Sequence, residues 1–358
     1  MAHLAEQHDH ESLNRYRRRL EELARTHPEF AGLYADRAKA EYRRGHYARA
    51  AAATMNGLRC ATGTDELSIR LLGVLILVLL DLNLPEAGQV LFDLRERRLD
   101  RLGGEFAARE QFKGLDSQGR LALRRGEYRA ALACFRRKRA EAPEHGETGW
   151  RELAWLLYAA ALIGPIDGDA RYAEDCRTML ADHPEPGNGN DDVLYLLRAL
   201  AAWAWRRQDA AARAVLASWL PDLESRLDRR QDIGPVGFTL SYLHLDQRDW
   251  GGTLPLPGWE TIRVGLKEDR YFFELAVFGH LLERPREEIE GWLNRYQQER
   301  RTVMDALAPE NLPAWLRPEL PETRPEDLDE RESRERELLL AAGPPDWNAL
   351  VAAHLLPW

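Results

Sequence analysis

The side chains able to carry chemistry are scattered along this 358-residue chain. No Ser, His and Asp are arranged for nucleophilic catalysis, no Gly-rich loop is shaped to cradle a phosphate, and no His/Glu pair stands at helical spacing for a metal. His3, His8 and His10 could take up a metal ion, although a mobile tail accounts for them better. Asp167 with Asp169, and Asp191 with Asp192, resemble acidic metal pairs. Each pair adjoins the start of a helical pattern, where an Asp satisfies free N–H groups, so capping is the stronger reading. Cys134 falls within a helical pattern and reads as a small core residue rather than a nucleophile. Cys60, Cys134 and Cys176 are odd in number, far apart, and fit neither a metal spacing nor a disulfide framework. A reducing compartment suits them. The residues therefore predict no catalytic set, no cofactor and no metal, and the chain reads as a non-enzyme.

Composition turns attention to the elements. Ala, Leu, Arg and Glu dominate and β-branched residues are sparse, which favours an all-α fold. The formal net charge of −9 conceals a division. Residues 1–145 carry 26 Lys and Arg against 21 Asp and Glu, whereas residues 146–358 carry 24 against 38. All eleven Trp stand at or beyond Trp150. Different packing needs of the two stretches explain this; an acidic, Trp-rich partner surface in the second is the functional alternative. The longest apolar run, Leu71 to Leu80, is ten residues, about half of the roughly 20 that a membrane helix requires. It reads as a helix buried on both sides. The N-terminus lacks the apolar stretch of a signal peptide, and the expected location is cytoplasmic.

The most informative stretch runs from Leu115 to Pro143. Leu115, Gly119, Ala122 and Leu123 share one helical face, Gly126 breaks the helix, and Ala131, Leu132 and Phe135 share the face of a second helix that starts near Tyr128. Small residues at Gly119 and Ala131 allow close approach. Gly119, Gly126, Tyr128, Ala131, Phe135 and Pro143 follow in order the pattern of a tetratricopeptide repeat, which this stretch resembles. Arg43 to Ala51 (RRGHYARAA) parallels Arg124 to Leu132 (RRGEYRAAL), supported by Tyr34, Ala38 and Tyr42. The two copies are 81 residues apart, more than two periods of roughly 34, so a degenerate copy and an extra segment lie between them.

Taken in order, residues 11–25 predict an amphipathic capping helix. Its basic residues could hold nucleic acid, but Glu21 and Glu22 follow at once, and no helix-turn-helix precedes the repeats. Residues 67–99 predict the degenerate repeat, and 99–114 a short helix between repeats. Further copies are expected over 150–184, with a longer turn at 164–168, and over 196–222. The piece 251–259 is too rich in Gly and Pro for a regular helix. Helical patterns resume at 268–283 and 286–307. Residues 309–326 read as an extended linker, and helical patterns over 327–342 and 346–356 close the chain. In the last of these, Trp347, Leu350, Val351 and Leu355 share a face, with Leu356 and Trp358 beside it. A face so apolar should dock on its own chain or on a second copy.

The organisation expected is thus a capping helix at 1–30, tetratricopeptide-like hairpins at 31–222, degenerate hairpins at 223–308, and a linker with amphipathic helices at 309–358. The resemblance implies an all-α superhelical solenoid that binds a protein or peptide on its concave face, which the first helix of each hairpin lines. Arg37, Glu41, Gln118 and Arg120 are the candidate contacts there. No nucleic-acid or membrane partner is expected, and a homodimer remains open. The alternatives are an accessory or self-assembling subunit that uses its Trp-rich half as an interface, and an α/α toroid acting on sugars with two carboxylates as acid and base. The toroid requires a closed ring of hairpins, whereas here repeat signatures stand at one end and a tail at the other.

Overall fold

The computed structural model describes residues 31–61, 66–182, 191–228, 233–265, 271–317 and 325–358. The helix expected over 11–25, the three N-terminal histidines and the loop residues 183–190 lie outside them. No strand occurs among the described residues, and the all-α expectation holds. The chain forms two compact units, one from residues 1–108 and 299–322, the other from 109–298 and 323–358.

The first unit contains α1 (Ala31–Arg43), α2 (Tyr47–Cys60), α3 (Glu66–Asp81) and α4 (Pro85–Leu102). Tyr34 and Ala38 on α1 face inward, as do Tyr47, Ala50 and Ala51 on α2. The turn between them is closed by Gly45 at φ +79°. A Cβ on Gly57 would stand 2.8 Å from Leu71 Cδ1 and 3.0 Å from Tyr34 Cβ, so glycine eases the close packing of α2 on α1 and α3. The Tyr47 hydroxyl donates to Asp81 Oδ2 at 3.1 Å and ties the same two helices. As expected for the apolar run, α3 is buried around most of its circumference, including Leu72, Leu75, Ile76, Leu79 and Leu80.

Residues 299–317 return to this unit. Glu299 Oε1 accepts from the Ala48 N–H at 2.8 Å, and Asn311 O from Arg59 Nη2 at 2.6 Å. In the stretch read as a linker, the described residues 309–317 are folded over this part: a short 3-10 helix spans Pro309–Asn311, and Leu312, Pro313 and Leu316 are buried. Prolines signal extension only where nothing apolar interrupts them. Here Leu312, Trp315 and Leu316 recur within one turn, and the Arg98 guanidinium lies 4.3 Å from the Trp315 ring centre.

The second unit begins on α5 (Gly104–Arg124), which is followed by α6 (Tyr128–Glu141). Instead of a short helix over 99–114 and a new one at Leu115, the break comes at Gly103 and Gly104, both at positive φ, and α5 runs unbroken through Leu115. Gly114 does not end it, and Gly119 serves the close approach expected of it: a Cβ there would stand 2.5 Å from the Phe135 ring. Gly126, at φ +72°, makes the turn to α6.

The helical pairs continue with α7 (Trp150–Ile163) and α8 (Asp169–Asp182), α9 (Asp191–Arg207) and α10 (Ala210–Asp228), and α11 (Ile233–Trp250) and α12 (Trp259–Gly265). Helices α7, α9 and α11 pack on one another in succession, while α8 packs on α10 and α10 on α12. A first helix between two others has no free face, which is why α7 is buried from Glu152 to Leu162. Helix α11 extends through residues where the repeat pattern had faded. Its Pro235 sits in the first turn, where a missing N–H costs nothing. Residues 251–258 are non-helical, as their Gly and Pro required. The unit closes with α13 (Phe272–Leu281), α14 (Arg286–Ala306), α15 (Pro325–Leu339) and α16 (Trp347–Ala352).

Candidate functional site

The first helices of the second unit place a row of large polar and aromatic side chains together: Arg124 from α5, Trp155 and Tyr158 from α7, Arg198 and Trp205 from α9, Tyr242 from α11, and Glu274 from α13. All are buried, and the chain's own segment 346–358 lies against Arg124, Tyr158 and Trp205. Asp346 caps α16, its Oδ1 accepting from the N–H groups of Asn348 and Ala349 at 3.0 and 3.1 Å. The helix ends at Ala352, short of the expected Leu356, because His354 turns at φ +57°. The last residues then run non-helically with Leu355, Leu356, Pro357 and Trp358 buried.

The segment is held through its main chain as well as its side chains. Tyr128 Oη donates to Val351 O at 3.3 Å, and Arg124 Nη1 to Leu356 O at 3.2 Å. The Tyr158 hydroxyl bonds both Pro357 O and the Tyr242 hydroxyl. A carbonyl cannot donate, so Tyr158 gives its proton to Pro357 O and accepts from Tyr242. At the other end, Trp347 Nε1 donates to Leu162 O at 3.2 Å, and the Trp347 ring meets Trp205 edge-on at 5.1 Å. The Trp358 ring meets Tyr158 edge-on at 5.7 Å. The expectation that this face docks is fulfilled within the chain's own second unit.

Burial governs the electrostatics. It pushes the Tyr158 phenol up to about 12 and the Tyr242 phenol well above its usual range, the latter reinforced by its proximity to Tyr158 and by the bond it donates there. Arg124 is 3.5 Å from Glu274 Oε1. A second buried pair joins Lys138 to Glu152 at 2.8 Å. Burial opposes the charge on Lys138, but Asp116 and Glu152 outweigh it and leave the amine above its ordinary value. Arg198 is different. It is 5% exposed, and its guanidinium carbon stands 4.5 Å from the Tyr158 ring centre, 4.8 Å from Trp155, 5.2 Å from Tyr195 and 5.5 Å from Phe238.

Of the residues chosen from sequence, Arg37 and Glu41 lie on α1 of the first unit, and Gln118 and Arg120 on α5 in the second. Glu41 faces His46 Nδ1 at 2.8 Å. Arg120 lies 5.7 Å from the centre of the Trp155 ring, the ring that Arg198 also faces. Gln118 and Arg37 are half-buried. The sequence reading missed Arg124, Tyr158, Arg198, Tyr242 and Glu274. A signal existed for two of them: Arg198 is the sole charge between Val193 and Trp205, and Glu274 the sole acid between Phe272 and Leu281. A lone charge inside an apolar helix must meet something buried.

Asp169 accepts from the Ala170 N–H at 2.7 Å, and Asp192 faces Arg151 at 3.3 Å. No group of three or more His, Cys, Asp or Glu is placed to hold a metal ion among the described residues, and none of their helices is long and apolar enough to cross a membrane. No protein-family model matches the chain, and no curated protein or solved structure is significantly similar to it.

Proposed function

We propose that this chain is a tetratricopeptide-like helical scaffold whose second unit binds a peptide segment of a partner protein along the face built by α5, α7, α9, α11 and α13. One observation carries the reading: that face already holds a peptide segment, residues 346–358, with side-chain donors on the main-chain carbonyls of Val351, Leu356 and Pro357. Bonds to main chain supply affinity for any backbone laid in the same course, and the aromatic walls supply selectivity. The test is saturable binding of a labelled peptide of residues 344–358 to full-length protein carrying Trp358→Ala, which loosens the resident segment. No binding to that protein would overturn the reading.

The accessory-subunit reading rests on the tryptophans. Seven of the eleven (Trp155, Trp203, Trp205, Trp219, Trp259, Trp292 and Trp358) are buried, and the exposed one is Trp250, at 48%. Their abundance therefore serves packing more than an outer surface, and the peptide-binding reading is preferred.

A further inference from the structure

The resident segment satisfies the groove incompletely. Several other buried charges in this unit face an opposite charge: Arg124 faces Glu274, Lys138 faces Glu152, Arg226 faces Asp222, and Asp246 faces Arg213. Arg198 is as deeply buried as they are, yet it has no ion pair or hydrogen bond among the described residues; its Nε is wholly enclosed and unbonded. Its contacts are the four aromatic rings. Rings attract a cation through their faces but accept none of the five N–H bonds that a guanidinium offers. Trp358 Nε1, on the segment itself, is likewise enclosed without an acceptor. Arg198 thus adds to this buried cluster a positive charge with no ion-pair partner among the described residues, an arrangement that burial penalises.

We propose that Arg198 is an anion subsite of the groove, made for a carboxylate side chain on an otherwise apolar peptide of a partner protein, and that residues 346–358 occupy the groove in that peptide's absence. The inference rests on the peptide-binding reading and adds the ligand's chemistry. The resident segment offers the groove Leu355, Leu356, Pro357 and Trp358, none of which carries an acidic side chain. A competing peptide of similar shape with one Glu or Asp beside its aromatic anchor would keep the bonds from Tyr158 and Arg124. It would also bring the acceptor that Arg198 lacks. A bidentate guanidinium–carboxylate pair formed within a ring of aromatic side chains is strong because no water competes for it.

The test uses full-length protein carrying Trp358→Ala and synthetic peptides of residues 344–358, in which each position from Leu355 to Trp358 is replaced in turn by Glu or by Gln. One or more Glu peptides should bind about tenfold or more tightly than the matching Gln peptide, as a bond to a charged buried group requires. That preference should vanish when Arg198→Met is added and survive in part with Arg198→Lys, which keeps a cation at the site. Equal affinities of every Glu and Gln pair would overturn the subsite, and so would a preference that persists without Arg198. If Arg198→Met does not fold, the Glu/Gln comparison and the Arg198→Lys protein still decide. Failure of the unaltered peptide to bind at all would reject the peptide-binding reading itself, a result distinct from binding without preference for an acid.

Discussion

Tyr158 is the residue on which the groove's polar contacts converge, since its one proton goes to Pro357 O and its lone pair receives Tyr242. Replacing it by Phe leaves the Pro357 carbonyl and the Tyr242 hydroxyl buried without partners, and should cost about 1–3 kcal/mol in chemical denaturation. The same hydroxyl fixes a pH window. A group whose folded pKa lies above its unfolded value stabilises the fold fully below the unfolded pKa and loses that contribution as pH rises to the folded one. For Tyr158 the window runs from 10.0 to about 12, and a two-unit shift corresponds to roughly 3 kcal/mol. Stability measured by urea unfolding should therefore fall over that alkaline range, and fall less in Tyr158→Phe. An equal fall in both proteins would remove Tyr158 from the account. Gly126 makes a second residue-scale case. Its φ of +72° strains any Cβ-bearing residue, and a Cβ there would also run into the His354 ring. Gly126→Val should lose about 1 kcal/mol or more. Adding His354→Ala should restore only the steric part in a thermal melt.

Among the elements, α16 and the residues after it offer the clearest test. Leu350, Leu355, Leu356 and Trp358 are almost wholly buried, and each such side chain is worth about 1.5–3 kcal/mol of burial. A chain cut after Pro345 should melt several degrees lower and bind an apolar dye. Unchanged melting and dye response would mean that the segment contributes nothing to the isolated protein. The docking of this element was legible in sequence because four apolar residues share one face, and so was the Gly126 turn, because it needs a residue that tolerates positive φ. The length of α5 was not. Gly114 looks like a helix breaker in sequence, yet the helix runs straight through it to Arg124. The fold of 309–317 was obscured by its prolines, which carry no record of where Leu312 and Leu316 will be buried. The groove itself escaped notice because its members stand on five helices far apart in sequence, and helical periodicity reports only on one helix at a time. The four residues chosen from sequence were picked as polar positions on the concave face that the repeat resemblance implies. The groove's polar residues are instead buried.

At the scale of the whole molecule, far-UV circular dichroism should be that of a helical protein, and a substantial sheet signal would contradict the fold. The division into units also has a bearing on how the chain comes together. Ala48 is bonded to Glu299 across 251 residues, and Arg59 to Asn311 across 252. The first unit therefore cannot be finished in the order in which it is synthesised. Its four described helices, with α3 among the most apolar in the protein, must wait for 190 intervening residues, 109 to 298, to be made before residues 299–317 arrive to cover them. Contacts this distant close slowly, and surface left uncovered meanwhile is prone to aggregate. A fragment ending at Ala108 should accordingly be insoluble or molten when expressed alone, and should gain solubility when residues 299–317 are supplied as a separate peptide. Synthesis from one end to the other thus leaves the earliest-made unit among the last to mature, and a nascent chain of this protein has a long interval in which a chaperone can act on it.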